Sequence, residues 1–134
     1  MKSGLGHIQF NVRAANIPFY KDLFGFLGWN VLHEAEGMVG LGGKNGESFW
    51  FIGSIEDGSI NYDGPGVNHL AIGAESQADV DAAAAHLTAQ GVAMLFETPR
   101  HRPDFAWNET DTYYQIMFES PDGLLWEFVY TGPK

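Results

Sequence analysis

Apolar and polar residues alternate over residues 5–12. Ile8, Phe10 and Val12 fall on one side and His7, Gln9 and Asn11 on the other, the period-two pattern of a strand that buries one face. Helical spacing follows, with Asn16 as a cap, Pro18 in the first turn, and Phe19, Leu23 and Phe26 at i, i+4 and i+7 as the apolar stripe. Gly25 and Gly28 end that helix. Three strands are predicted at roughly 29–35, 37–42 and 47–53, separated by turn formers around Gly37 and Gly43-Lys44-Asn45-Gly46. Beyond the turn-rich stretch from Glu56 to Gly66 the order repeats. A strand at about 67–73 leads into Ser76-Gln77-Ala78-Asp79, a capping-box pattern. Val80, Ala83, Ala84 and Leu87 form the buried stripe of the helix it opens, and Gly91 stops that helix. Strands near 92–98, 113–119 and 124–130 complete the series. The pattern is strand, helix, three strands, twice over. It predicts a single α+β domain spanning residues 1–134, built of two βαβββ units at about 4–55 and 66–131 with a connector at about 56–65. The interval from Pro99 to Asp111 has no such pattern and reads as a binding segment or lid.

A chain of 134 residues with 45% hydrophobic content can bury one core but not two independent ones, and a half of roughly 60 residues is marginal alone. The halves are therefore expected to share burial, within one chain or with a second copy. Seven Lys plus Arg against seventeen Asp plus Glu gives a net charge of −10, which repels nucleic acid and anionic membrane. The absence of cysteine removes disulfides, thiolate ligands and thiol nucleophiles, and fits a reducing setting. The amino terminus has no apolar signal core, and no apolar run approaches the ~18 residues of a membrane span. The expectation is a soluble, unprocessed, cytoplasmic protein.

Two histidines sit at matching places. His7 in Gly4-Leu5-Gly6-His7 and His69 in Gly66-Val67-Asn68-His69 share a Gly-x-x-His opening, separated by 69 − 7 = 62 residues. Glu127, in the predicted last strand, follows His69 by 127 − 69 = 58 residues. Two imidazoles and one carboxylate can hold a divalent cation and leave coordination positions open for substrate. Strand parity puts His7 on a face with Gln9 and Asn11, His69 with Ala71 and Gly73, and Glu127 with Leu125 and Val129. The opposite faces are apolar and suit packing under the helices. The same parity puts Ser48, Trp50 and Ile52, and also Tyr113, Gln115 and Met117, on the pocket face. Trp50 is either a stacking surface for substrate or a core filler. Tyr113 is the candidate proton donor. Arg100, His101 and Arg102 form the dense positive cluster of an acidic chain, either a clamp for a substrate carboxylate or phosphate or a solvated loop balanced by Asp104 and Glu109. Trp107 lies in the same loop. His33, His86, Glu119 and Gly123 need no functional role.

Paired strand-helix-strand-strand-strand units, a histidine opening each, and the closing Pro121-Asp122-Gly123-x-x-x-Glu127-Phe128 resemble the vicinal oxygen chelate superfamily over essentially the whole chain. That group includes glyoxalase I, fosfomycin-resistance transferases, extradiol dioxygenases, methylmalonyl-CoA epimerases and bleomycin-resistance proteins. The resemblance implies curved mixed sheets enclosing a pocket, a homodimer, and a metal held on the first and last strands of the units. It assigns His7, His69 and Glu127 as ligands and Fe, Mn, Ni or Zn as the ion. Trp50 stands where glyoxalase I has a carboxylate, and its indole nitrogen is a donor only. What remains resembles the three-ligand His, His, Glu members. The implied activity is metal-dependent chemistry on a small molecule with vicinal oxygens, as lyase, isomerase, transferase or ring-cleaving dioxygenase. Tyr113 and Glu127 are the catalytic candidates, with Trp50, Gln9, Arg100, Arg102, Trp107 and Gln115 around the substrate. The alternative is a metal-free protein that sequesters a cationic drug, as bleomycin-resistance proteins do; the −10 charge, Trp50, Trp107, Tyr113 and Tyr114 suit it.

Overall fold

The computed structural model describes residues 1–134 and divides them into two compact units, Met1–Ser59 and Ile60–Lys134. The first unit runs β1 (His7–Val12), a 3-10 turn (Ala14–Asn16), α1 (Ile17–Phe26), β2 (Asn30–Ala35), β3 (Met38–Gly42) and β4 (Ser48–Gly53). Its sheet has the order β1-β4-β3-β2, with β1 parallel to β4 and the other pairs antiparallel. The second unit runs β5 (Leu70–Ala74), α2 (Gln77–Ala89), β6 (Arg100–His101), a 3-10 turn (Pro103–Phe105), β7 (Asp111–Glu119) and β8 (Leu125–Pro133). Its sheet has the equivalent order β5-β8-β7-β6, again with one parallel pair, β5 to β8. The two four-stranded mixed sheets, each with one helix, form the two-unit α+β fold that the repeat predicts, and neither sheet closes into a barrel.

Each helix covers the apolar face that strand parity assigned to it. In the first unit Phe10 stacks on Phe51 at 4.9 Å between ring centroids, and Tyr20 of α1 stacks on Phe51 at 4.1 Å. In the second, Val80, Ala83, Ala84 and Leu87 of α2 are all buried, as their spacing predicts. The N-cap half of the box forms: Ser76 Oγ accepts from the backbone N–H of Asp79 at 3.1 Å. Gly91, at φ 81°, takes the left-handed conformation that ends α2.

Four expectations are corrected. The buried face of α1 is Tyr20, Leu23 and Phe24, while Phe26 is 47% exposed. The 3-10 turn runs straight into α1, so Asn16 makes no side-chain cap bond and Gly25 lies inside the helix. No strand forms at 92–98. There Leu95 N–H donates to Met117 O and Met117 N–H donates to the Thr98 hydroxyl at 3.0 Å, so a side chain takes the place of a ladder and the strand is displaced to Arg100–His101. Finally, β5 starts at Leu70, which leaves His69 just ahead of the sheet.

On the face away from α1, Trp50 lies flat over Gly40. A Cβ built at Gly40 would come within 2.5 Å of the indole, and Trp50 Nε1 donates to Ser48 Oγ at 2.9 Å. A methyl group at position 40 would therefore have to push the indole aside. Gly40→Ala is expected to cost about 1–2 kcal/mol in urea unfolding through overpacking. The cost should largely vanish in the Trp50→Ala background; additive effects of the two changes would contradict this packing.

On the helix side of the second sheet, Tyr114 donates to Asp81 Oδ1 of α2 at 2.6 Å. Burial, then the bond to Asp81, pushes the Tyr114 phenol up to about 12. A raised folded-state value stabilises the fold below the unfolded value of about 10, and that contribution is lost as pH rises from there through the folded value. The gap in unfolding free energy between wild type and Tyr114→Phe should be constant below about pH 9 and narrow above about pH 10. A gap that widens with alkalinity would contradict the assignment.

Candidate active site

The chemistry of the second unit gathers around Glu127, which points away from α2. In register it lies between Ala71 of β5 and Met117 of β7, and it is 2% exposed. The small Ala71 leaves room for a carboxylate where its neighbours Trp126 and Phe128 fill the core on the other face. Tyr113, four residues before Met117 on the same face of β7, donates its hydroxyl to Glu127 Oε1. Burial, then this bond to Glu127, pushes the Tyr113 phenol up, so it stays protonated and acts as a donor. The other carboxylate oxygen, Oε2, lies 3.0 Å from His69 Nε2.

His69 is set by its neighbour. Asn68 Nδ2 donates to Tyr62 O at 2.9 Å and to Asp63 Oδ1 at 3.1 Å, which turns Asn68 Oδ1 toward His69 Nδ1 at 2.7 Å. The proton on Nδ1 is thereby committed to Asn68. Nε2 then faces Glu127 either as the second N–H of an imidazolium or as a lone pair 3.0 Å from a carboxylate oxygen. In the second case two electron-pair donors face each other, an arrangement that a cation between them relieves. An imidazole whose other nitrogen is anchored to a carbonyl, beside a buried carboxylate, offers two of the donors a divalent ion takes. The pair fits such an ion. Within neither unit do three or more His, Asp or Glu side chains gather as a metal-holding group. Of the three candidate ligands, the second unit brings two together.

The third, His7, opens β1 in the first unit and is exposed. Gln9 and Asn11 share its face and are linked by a 3.0 Å bond from Gln9 Nε2 to Asn11 Oδ1. Trp50 sits between Gln9 and Gly40 in the first sheet as Glu127 sits between Ala71 and Met117 in the second. The equivalent position thus carries a carboxylate in one unit and a flat indole in the other.

The positive cluster is not one group. Arg100 pairs in register with Gln115, and its Nη1 donates to Glu97 at 3.2 Å. His101 bonds Thr112 Oγ1 at 2.6 Å and meets the Tyr114 ring at a tilt, on the helix side of the sheet. Arg102 donates to Asp104 and lies 4.2 Å over the Phe105 ring, which meets Tyr113 edge-on at 5.5 Å. Arg102 also lies within reach of the charge on Glu127. Trp107 is 86% exposed in the same loop. A cavity of about 780 Å³ lies beside His101, Asn108, Asp111 and Thr112, and none of His69, Tyr113 or Glu127 lines it. Asn68 and Phe105 were not singled out by sequence. Their signals were weak: an amide next to a candidate ligand, and one apolar residue in a polar loop.

Residues 4–128 match the sequence profile described as Glyoxalase/Bleomycin resistance protein/Dioxygenase superfamily. The chain belongs to this superfamily. Its fold is similar to that of a putative glyoxalase from Bacillus halodurans, at 24% identity and TM-score 0.76 over 94% of each chain. It is also similar to a glyoxalase/bleomycin resistance protein from Albidiferax ferrireducens T118, at 20% identity and TM-score 0.72 over 96% of this chain and 99% of that one. A glyoxalase/dioxygenase from Nostoc punctiforme matches at 16% identity and TM-score 0.67 over 96% and 91%. At these identities the likeness concerns the fold. A search of curated proteins found no match. Members of the superfamily bind small molecules, often use a divalent metal, and commonly form dimers.

Proposed function

We propose that this chain is a metal-dependent enzyme of the glyoxalase/dioxygenase type, acting on a small molecule with vicinal oxygens. The observation that carries the reading is the buried Glu127 carboxylate 3.0 Å from a histidine nitrogen whose partner nitrogen is committed to Asn68. His69 and Glu127 would hold the ion, with His7 as the third donor on the sequence pattern alone. Fe, Mn, Ni and Zn all accept such ligands. When bound, a divalent ion supplies Lewis-acid polarisation of the substrate oxygens. The chain's own residues supply the rest. Tyr113 gives its one hydroxyl proton to Glu127 Oε1, which leaves Oε2 for the ion; it would donate to a substrate oxygen only on leaving that bond. Arg102, stacked on Phe105 above Tyr113, adds positive charge to that end. In the first unit Trp50 and Gln9 remain substrate-contact candidates on the sequence pattern alone. The absence of cysteine suits a reducing cytoplasm, and the homodimer common in the superfamily suits units of roughly 60 residues.

A second reading, a binding protein for a cationic aromatic drug, is favoured by the half-buried indole over Gly40 and by the −10 charge. Calorimetric titration of chelator-treated protein with Mn(II), Ni(II) and Zn(II) separates the two. One equivalent should bind the wild type, binding should be lost in His69→Ala and Glu127→Gln, and Asn68→Ala should weaken it about 10–100-fold by freeing the imidazole. Unchanged affinity in all three variants would contradict the proposal.

A further inference from the structure

The face of the second sheet that carries Glu127 also carries hydrogen-bond donors that the protein leaves unused. Arg100 of β6 pairs in register with Gln115 of β7, and Gln115 pairs with Val129 of β8. Glu127 pairs with Met117, so the Arg100–Gln115 rung lies two residues along the strand, about 7 Å away. Gln115 shares its side of β7 with Tyr113, whose hydroxyl reaches Glu127, whereas Tyr114 turns to Asp81 on α2. Arg100 and Gln115 therefore stand on Glu127's side of the sheet.

Gln115 is 2% exposed, and no hydrogen bond of the protein ends on its amide. Arg100 Nε is buried without a partner, while the same guanidinium holds Glu97, a side chain 88% exposed. Buried polar groups are almost always satisfied, and each one left bare costs about 1–3 kcal/mol. Arg100 Nε is such a group, and with the unbonded Gln115 amide on the same rung it marks a place for an acceptor. The chain leading to Arg100 is strained as well: Phe96 and Glu97, neither a glycine, sit at φ 56° and 61°. Consecutive side-chain-bearing residues in the left-handed region persist where neighbouring bonds hold them, here those of Leu95 and Thr98 to Met117. Arg102 does not belong to this group, because Asp104 and Phe105 already engage it. What is missing beside a guanidinium edge and an amide is a planar anion accepting two or more N–H bonds.

We propose that Arg100 and Gln115 form a subsite for a carboxylate of the substrate, set apart from the vicinal oxygens that go to the His69–Glu127 end. The substrate class narrows to small carboxylic acids whose acid group and vicinal oxygens are separated by several bonds. This rests on the reading of that face as substrate-binding, but not on the metal. It can therefore be tested in metal-free protein with a probe that has no vicinal oxygens. Propionate, its uncharged counterpart propionamide, and inorganic phosphate are titrated separately while the Arg100 Nε–H and Gln115 side-chain NH₂ signals are followed by ¹⁵N NMR. Propionate should shift both signals saturably and bind at least tenfold more tightly than propionamide. Arg100→Gln should weaken propionate at least tenfold, and Gln115→Leu several-fold, in proteins whose spectra remain dispersed. Should Arg100→Gln lose its fold, Arg100→Lys, which keeps the charge without the Nε–H, should still bind propionate more weakly than wild type. Absent shifts, tighter binding of phosphate than of propionate, or wild-type affinity in the Arg100 variants would overturn the subsite, and would leave metal binding at His69 and Glu127 untouched.

Discussion

A carboxylate sealed into a sheet face is the constraint around which the second unit is organised. Glu127 has Met117 and Ala71 beside it and the core under its strand, so little water reaches it to stabilise its charge. Its oxygens are met instead by the Tyr113 hydroxyl and the His69 imidazole. Removing one partner of such a buried group is far more damaging than its net contribution suggests, since the remaining charge is left unpaired. The demand extends outward: His69 is oriented by Asn68, and Asn68 by Tyr62 and Asp63, so a connector rich in turn residues becomes the support of the site.

The two units share one topology and differ in what they place at its centre. Where the second has Glu127 beside Ala71 and Met117, the first has Trp50 beside Gln9 and Gly40. The indole is tied by its N–H to Ser48 and rests on a residue with no side chain. A duplicated scaffold has thus been given one polar and one aromatic half.

Much of this was legible in the sequence because it depends on period. Alternation in β1 and β8, and the Val80, Ala83, Ala84, Leu87 spacing of α2, depend on burial of one face and survive any change in detail. Parity alone placed Tyr113, Gln115 and Glu127 on a common side. The failures have a different cause. The absent strand at 92–98 reflects a Thr98 hydroxyl that replaces a backbone ladder, and the late start of β5 reflects an anchored Asn68; side-chain bonds to specific distant partners leave no periodic trace. The Arg100, His101, Arg102 run looked like one cluster, but a two-residue strand sends neighbours to opposite faces, and Asp104 and Phe105 claim the third.

The central claim is that Asn68 holds His69 by its Nδ1, so that Nε2 and the Glu127 carboxylate are turned together toward a cation. Anomalous diffraction from crystals grown with Mn(II) tests it most directly. The account predicts a peak within roughly 2.0–2.3 Å of both His69 Nε2 and a Glu127 oxygen, with His69 Nδ1 still on Asn68. A metal found elsewhere, with the His69–Glu127 hydrogen bond intact at saturating Mn(II), would contradict it.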